Sequence, residues 1–183
     1  AGVPDILFRK FEKSSFDKSK ELTLIKNNRK KMIILPSCFF DAVAFFENSL
    51  FADNYTWLIY LLEKSKSTNF DWYIKPHPDG MIENEKVYKK ILEDFPHVKL
   101  LDKNISNKTF LNNDFSAMFT YQSNAILEFT YMRIPSIVVS DNLHSSFSYG
   151  KPVLNLKEFD NKIINADKLK IRNKYMKEIH QFN

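Results

Sequence analysis

A chain of 183 residues, 44% hydrophobic, 15% aromatic and 27% charged, has the profile of one ordered domain with enough apolar mass for a core. Its 3 glycines, Gly2, Gly80 and Gly150, stand too far apart for G-x-G-x-x-G or G-x-x-x-x-G-K-[ST], which excludes a dinucleotide fingerprint and a P-loop. The single Cys38 excludes an internal disulfide and a cysteine-based zinc site, and the formal charge of +5 is confined to one end of the chain.

That end comes first. Residues 1 to 31 carry nine Lys or Arg against four Asp or Glu, whereas residues 32 to 183 carry eighteen of each. The body is therefore neutral and the excess belongs to a basic N-terminal arm, read as a solvated leader rather than a nucleic-acid contact. Nucleic acid is not expected as a partner; peripheral contact with an anionic membrane face is the one electrostatic role the arm suits. The chain opens Ala-Gly-Val with no initiator Met and no signal-peptide pattern, so a piece or processed product of a longer protein is expected, in a reducing, cytoplasmic setting. The longest apolar stretch, Phe115 to Val139, is broken by Gln122, Asn124, Glu128 and Arg133 and falls short of the roughly 18 residues of a membrane span.

Beyond the arm, short continuous apolar runs alternate with longer helical patterns, the signature of a buried parallel sheet. Met32 to Leu35 reads as a first strand, stopped by Pro36. Tyr55 to Lys64 carries Trp57, Leu58, Leu61 and Leu62 at helical spacing. Asp71 to Lys75 is a second strand, ended by Pro76 and Pro78. Glu85 to Asp94 is a polar helix with Val87, Ile91 and Leu92 as its buried stripe, and Val98 to Leu101 a third strand. Asp102 to Lys108 is a loop, followed by a helical turn near Phe110. Phe115 to Tyr121 is a fourth strand, Ser123 to Met132 a helix capped by Ser123, and Pro135 to Ser140 a fifth strand. A lysine-rich helix from Ala166 to Ile179 closes the chain. The order specifies an α/β, Rossmann-like, doubly wound and mainly parallel sheet of about five strands flanked by helices. Its parts are the basic arm or helix 1–31, the sheet domain 32–160 and a C-terminal basic helix 161–183 packing on it.

In such folds ligands bind beyond the carboxyl ends of the strands, and the residues found there are polar. Strand one runs into Ser37 and Asp41, strand two into Lys75, His77 and Asp79, strand four into Gln122, Ser123 and Asn124, and strand five into Asp141 and His144. In Lys75-Pro76-His77-Pro78 a histidine held between two prolines has little backbone freedom, which suits a fixed hydrogen bond to phosphate; the alternative is a strand terminator with an ordinary surface histidine. Tyr121-Gln122-Ser123-Asn124 opens a helix directly from a strand, so backbone N–H groups and the helix dipole offer an anion site that needs no glycine. Ser123 serves there as a cap, a phosphate contact or both. Glu128 stands between Leu127 and Phe129 and either accepts from ribose hydroxyls or faces solvent. Asp41, Asp79 and His144 are weaker candidates, and His97 and His180 carry no signal.

The succession of strand, K-P-H-P, helix, strand, then S-x-x-x-x-E within a helix and I-P-S-I-V-V after it, resembles the C-terminal nucleotide-sugar domain of GT-B glycosyltransferases. More narrowly it is similar to capsule and lipopolysaccharide transferases with an HP motif, a group echoed in bacterial sialyltransferases and CDP-glycerol polymer transferases. Phe40-Asp41, Asn48 to Phe51 and Asn142-Leu143-His144 also look like parts of this pattern, which covers residues 32 to 160.

The resemblance implies that His77 is the catalytic contact to the donor phosphate, Ser123 its partner at the helix N-terminus and Glu128 the acceptor from the ribose; Lys75, Gln122 and Asn124 join them as donor-binding candidates from their places at the strand ends. It implies a CMP- or CDP-linked donor, a glycan or lipid-linked acceptor, no metal, and no cofactor besides the nucleotide-sugar substrate. The pattern's glycine or doubled serine after the fourth strand is absent here. Its acidic general base generally belongs to another domain, leaving Asp41 or Asp79 to be considered in this chain. Alternatives are a non-catalytic interaction domain of a surface-glycan protein and a sugar-nucleotide epimerase-like enzyme, the latter expected to carry a glycine-containing loop at the fourth strand.

Overall fold

The computed structural model describes residues 22–37, 39, 48–78 and 82–181. Five short strands, β1 (Lys31–Ile34), β2 (Asp71–Ile74), β3 (Val98–Leu100), β4 (Phe115–Thr120) and β5 (Ser136–Val138), form one sheet in the order β3-β2-β1-β4-β5. Every neighbouring pair is parallel. Parallel strands covered on both faces need apolar residues at successive positions, and β1 shows why the runs are continuous: Met32 and Ile34 enter one apolar cluster, Ile33 and Leu35 the other.

The helices divide between these faces. On the first lie α1 (Asn54–Ser65), α2 (Ile82–Asp94) and α4 (Leu156–Ile164), which bury Trp57, Leu58, Leu61, Tyr88, Ile91 and Phe159 against the sheet. Asp53 starts α1 by accepting the Thr56 N–H at 2.6 Å. On the second lie a 3-10 turn (Asn107–Asn112), α3 (Ala125–Tyr131) and α5 (Asn173–Gln181), which bury Phe110, Ile126, Phe129 and Ile179. Leu22, Leu24 and Ile25 lie across this face, where the Ile25 N–H donates to the Tyr73 hydroxyl at 3.1 Å.

The chain winds β1-α1-β2-α2-β3 along the first face, then returns to the middle of the sheet and winds β4-α3-β5 along the second. Direction reverses between β1 and β4, so a crevice opens beyond their carboxyl ends.

The end of the chain departs from expectation. Instead of one helix from Ala166 to Ile179 there are α4, a 3-10 turn (Ala166–Lys168) and α5. Asn155 accepts the Glu158 N–H at 3.0 Å and starts α4 ten residues early, a capping pattern hidden by its exposed Leu156 and Lys157. Asn165 then caps its end. With few glycines, left-handed backbone is taken by Asp114 (φ 56°) before β4 and Arg133 (φ 62°) before β5. Among the described residues no helix is long and apolar enough to cross a membrane.

Candidate functional site

The crevice between β1 and β4 is floored by a chain of hydrogen bonds. Thr120 donates its hydroxyl to the Leu35 carbonyl at 2.7 Å, Ser37 donates to the Gln122 carbonyl at 2.7 Å, and the Asn54 amide donates to the Ser37 carbonyl at 2.7 Å. The bonds fix the two strand ends relative to the start of α1. Two side-chain oxygens of residues in this network, Gln122 Oε1 and Asn54 Oδ1, are buried without a hydrogen-bond partner among the described residues. Unsatisfied polar atoms cost free energy, and these two lie beside the strand-end crevice, while others are spread over the fold, as at Trp57, Asp71 and Ser136.

Lys75 is the sharpest instance. It follows β2 directly, its N–H pairs with the Ile34 carbonyl at 3.0 Å, and its side chain is only 5% exposed. No hydrogen bond or ion pair within 4 Å engages its ammonium among the described residues, and burial pushes its pKa down to about 8. The negative charge of Glu128 on α3 pulls the other way. Glu128 is half-buried and accepts from the Asn107 amide at 2.9 Å, so the loop before β4 orients it. A sparsely compensated cation beside an oriented carboxylate is an arrangement suited to a ligand carrying both an anionic group and hydroxyls.

The rest of the K-P-H-P segment leaves the interior: Pro76 is buried, and His77 is exposed. Across the crevice α3 begins at Ala125 rather than at Ser123, and its N-cap position falls to Asn124 instead of Ser123; Ser123, half-buried one residue earlier, accepts the Ala125 N–H at 3.1 Å. Asn124 is exposed, has helical backbone and makes no capping bond. Lys75, Gln122, Ser123, Asn124 and Glu128 thus belong to strand ends and a helix start around one crevice. Asp41 and Asp79 lie outside the described residues.

His144 is placed differently. It is 6% exposed in the loop after β5, its Nδ1 lies 3.3 Å from the Tyr149 hydroxyl, and desolvation lowers its pKa. Asn142 ties that loop by donating to the carbonyls of Ser140 and Gly150, at 3.2 and 3.0 Å, while accepting the His144 N–H at 2.8 Å. The Asn48 to Phe51 segment docks against it: Asn48 donates to Asp141 at 2.8 Å, and the Ser49 hydroxyl is bonded to that of Tyr121 at 2.7 Å.

Sequence reasoning missed Asn54 and Asn107. Asn54 had a signal, since it shares the buried stripe of α1 with Trp57, Leu58, Leu61 and Leu62, where a polar residue needs a partner. Asn107 had none, because its role depends on a turn meeting a helix from another part of the chain. Among the described residues no cluster of three or more His, Cys, Asp or Glu could hold a metal ion.

The sequence matches no protein-family model and none of the curated proteins. Among solved structures its fold matches that of TarM, a glycosyltransferase, with a TM-score of 0.54 at 15% identity. The match covers 88% of this chain and 33% of TarM, so the chain spans a third of that protein's length. At this identity the likeness is one of fold: a Rossmann-like α/β unit with a parallel sheet, as in a GT-B glycosyltransferase.

Proposed function

We propose that this chain is the donor-binding unit of a glycosyltransferase, holding a nucleotide-activated sugar in the crevice between β1 and β4. The observation that carries the reading is Lys75, a cation 5% exposed and without an ion pair among the described residues, at the carboxyl end of β2 next to the central strand. A phosphate arriving there replaces lost hydration with a charge-assisted hydrogen bond. Lys75 and His77 take the phosphate from one side, Gln122, Ser123 and Asn124 from the other, and Glu128 accepts from the ribose hydroxyls.

In the transfer step the bond between the sugar's anomeric carbon and the phosphate oxygen breaks, and negative charge grows on the departing phosphate. Donors fixed beforehand stabilise that charge more in the transition state than in the ground state. The HP-type motif supports a CMP- or CDP-linked donor, and with it a role in capsule or lipopolysaccharide synthesis on a glycan or lipid-linked acceptor.

The test is calorimetric titration of the chain with CMP, CDP, UDP and GDP, for wild type and His77→Ala. Selective binding of a cytidine nucleotide, weakened in the variant, is expected. In the intact enzyme His77→Ala should lower transfer by about 2 to 4 kcal/mol, the scale of one lost transition-state donor. No response to any nucleotide, or full activity of the variant, overturns the assignment.

A further inference from the structure

The amino edge of the sheet, opposite the crevice, gathers positive charge from two segments far apart in sequence. One is the chain entering β1, where Lys26, Arg29 and Lys30 are exposed. The other is the run from Lys168 to Lys174, K-L-K-I-R-N-K, in which every charged residue is basic and exposed. We propose that this edge is a docking surface for an anionic lipid bilayer, seated by these cations and by the exposed apolar side chains that stand among them.

Topology brings the second segment to this edge. The Val153 N–H donates to the Val138 carbonyl at 2.8 Å, so the chain is still at the carboxyl end of β5 when it enters α4. Nine residues of helix span about 13 Å, the depth of a four-residue strand such as β1. Therefore α4 ends near the amino edge, and the turn Ala166–Lys168 packs on β4. From there α5 runs back along the second face, where its Glu178 accepts the Ser148 N–H at 2.9 Å in the loop beyond β5. The connection between the two helices thus turns beneath β4, the neighbour of β1.

The charge is largely uncompensated. Of the cations in the two segments Arg29 has an ion pair among the described residues, with buried Asp71 at 3.6 Å; Lys168 donates to Asn165 at 2.9 Å and Lys174 lies over the Tyr175 ring. Arg133, exposed before β5, adds to them. The exposed acids are Asp114 before β4 and Asp167 in the turn, with Asp94 farther out at the end of α2, so positive charge prevails. Cations alone would serve any polyanion. Leu111 just before β4, Tyr131 at the end of α3 and Ile164 at the end of α4 reach the same edge and are 54, 55 and 60% exposed. Apolar side chains between cations fit a headgroup boundary, where lysine and arginine meet lipid phosphate and the apolar tips enter the acyl region. The surface lies away from the crevice and stands whether or not the crevice holds a donor.

The experiment is co-flotation of the full chain with vesicles of phosphatidylcholine, alone or with about 30% phosphatidylglycerol, at about 50 and about 500 mM salt. Wild type should bind the anionic vesicles only and lose most of that binding at the higher salt. Lys168→Gln, Lys170→Gln and Arg172→Gln together should weaken it at least about thirtyfold, since each cation at such a surface contributes roughly fivefold. Lys86→Gln, Lys89→Gln and Lys103→Gln together remove the same charge near the carboxyl edge and should change it less than about threefold. Tyr131→Trp adds an exposed indole to a chain whose Trp57 and Trp72 are buried, so brominated acyl chains should quench its fluorescence on anionic vesicles and leave wild type unquenched. Failure to bind anionic vesicles, whether or not an RNA oligomer binds in their place, overturns the proposal. So does an equal loss in the two triple variants, or binding without quenching in Tyr131→Trp.

Discussion

Lys75 destabilises the fold that contains it. Its pKa stands near 10.5 in the unfolded chain and at about 8 in the native one. Below pH 8 both states hold the proton and the burial penalty is complete. Between pH 8 and 10.5 the unfolded chain keeps a proton that the native state has released, so this group's contribution to stability improves as pH rises. At 1.36 kcal/mol per unit the penalty at pH 7 is about 3 kcal/mol. Lys75→Met should therefore raise stability in urea at pH 7 by about 1 to 3 kcal/mol, less than the full amount because Glu128 loses its cation. The gain should fade by pH 10, and nucleotide binding should be lost. A variant less stable than wild type at pH 7 would remove the lysine from the site. Glu128→Gln makes a second check, because without that negative charge the Lys75 pKa should fall further below 8, measurable by NMR of labelled lysine. Among these residues, legibility followed chain locality. Lys75 and Glu128 stood out through neighbours in sequence, whereas Asn107 acquires its part only where the 3-10 turn meets α3.

Elements were legible where a hydrophobic period met a clear stop, as at β1 before Pro36 and β2 before Pro76. The C-terminal helices were not, because α4 begins with exposed residues and its cap is an asparagine among other asparagines. Two turns carry predictions. A Cβ on Gly150 would collide with the backbone and Cβ of His144. Gly150→Ala should push the loop after β5 away from α5 and cost about 1 to 3 kcal/mol, the range of overpacked sites, read by chemical denaturation. Arg133 holds left-handed backbone after α3, where its N–H reaches the Thr130 carbonyl at 3.0 Å and the Ile134 N–H reaches Phe129 at 2.9 Å. Glycine suits this helix terminus, so Arg133→Gly should stabilise by up to about 1 kcal/mol; a loss of stability would show that the arginine side chain contributes.

At the scale of the molecule, α4 holds the first face together. Phe159 is fully buried, with ring centroids 5.7 Å from Phe51, 6.2 Å from Tyr60 and 6.5 Å from Phe119. Asp160 beside it receives the Tyr60 hydroxyl at 2.8 Å and the Lys64 ammonium at 2.7 Å. Phe159→Ala should cost about 3 to 5 kcal/mol, visible as an earlier urea midpoint, while Asp160→Asn, at a partly exposed pair, should cost well under half of that. From the sequence no helix is expected here, and the segment is divided at residue 160 between the sheet domain and the C-terminal helix, because α4 returns from the far edge to a face already covered by α1, and no local pattern announces such a return.

The strand order also sets a timetable. β1 lies between β2 and β4, and it gains β2 with the first half of the chain but β4 only after Phe115 has been made. Until then one edge of the most apolar strand is open, with Ile33 and Leu35 uncovered on the second face. A ribosome-bound or refolding intermediate must wait there for a distant partner, which makes folding slow and exposes an edge that another chain can occupy. Refolding yield should therefore fall as protein concentration rises, and a peptide spanning β4 and α3, added in excess during refolding, should compete for that edge.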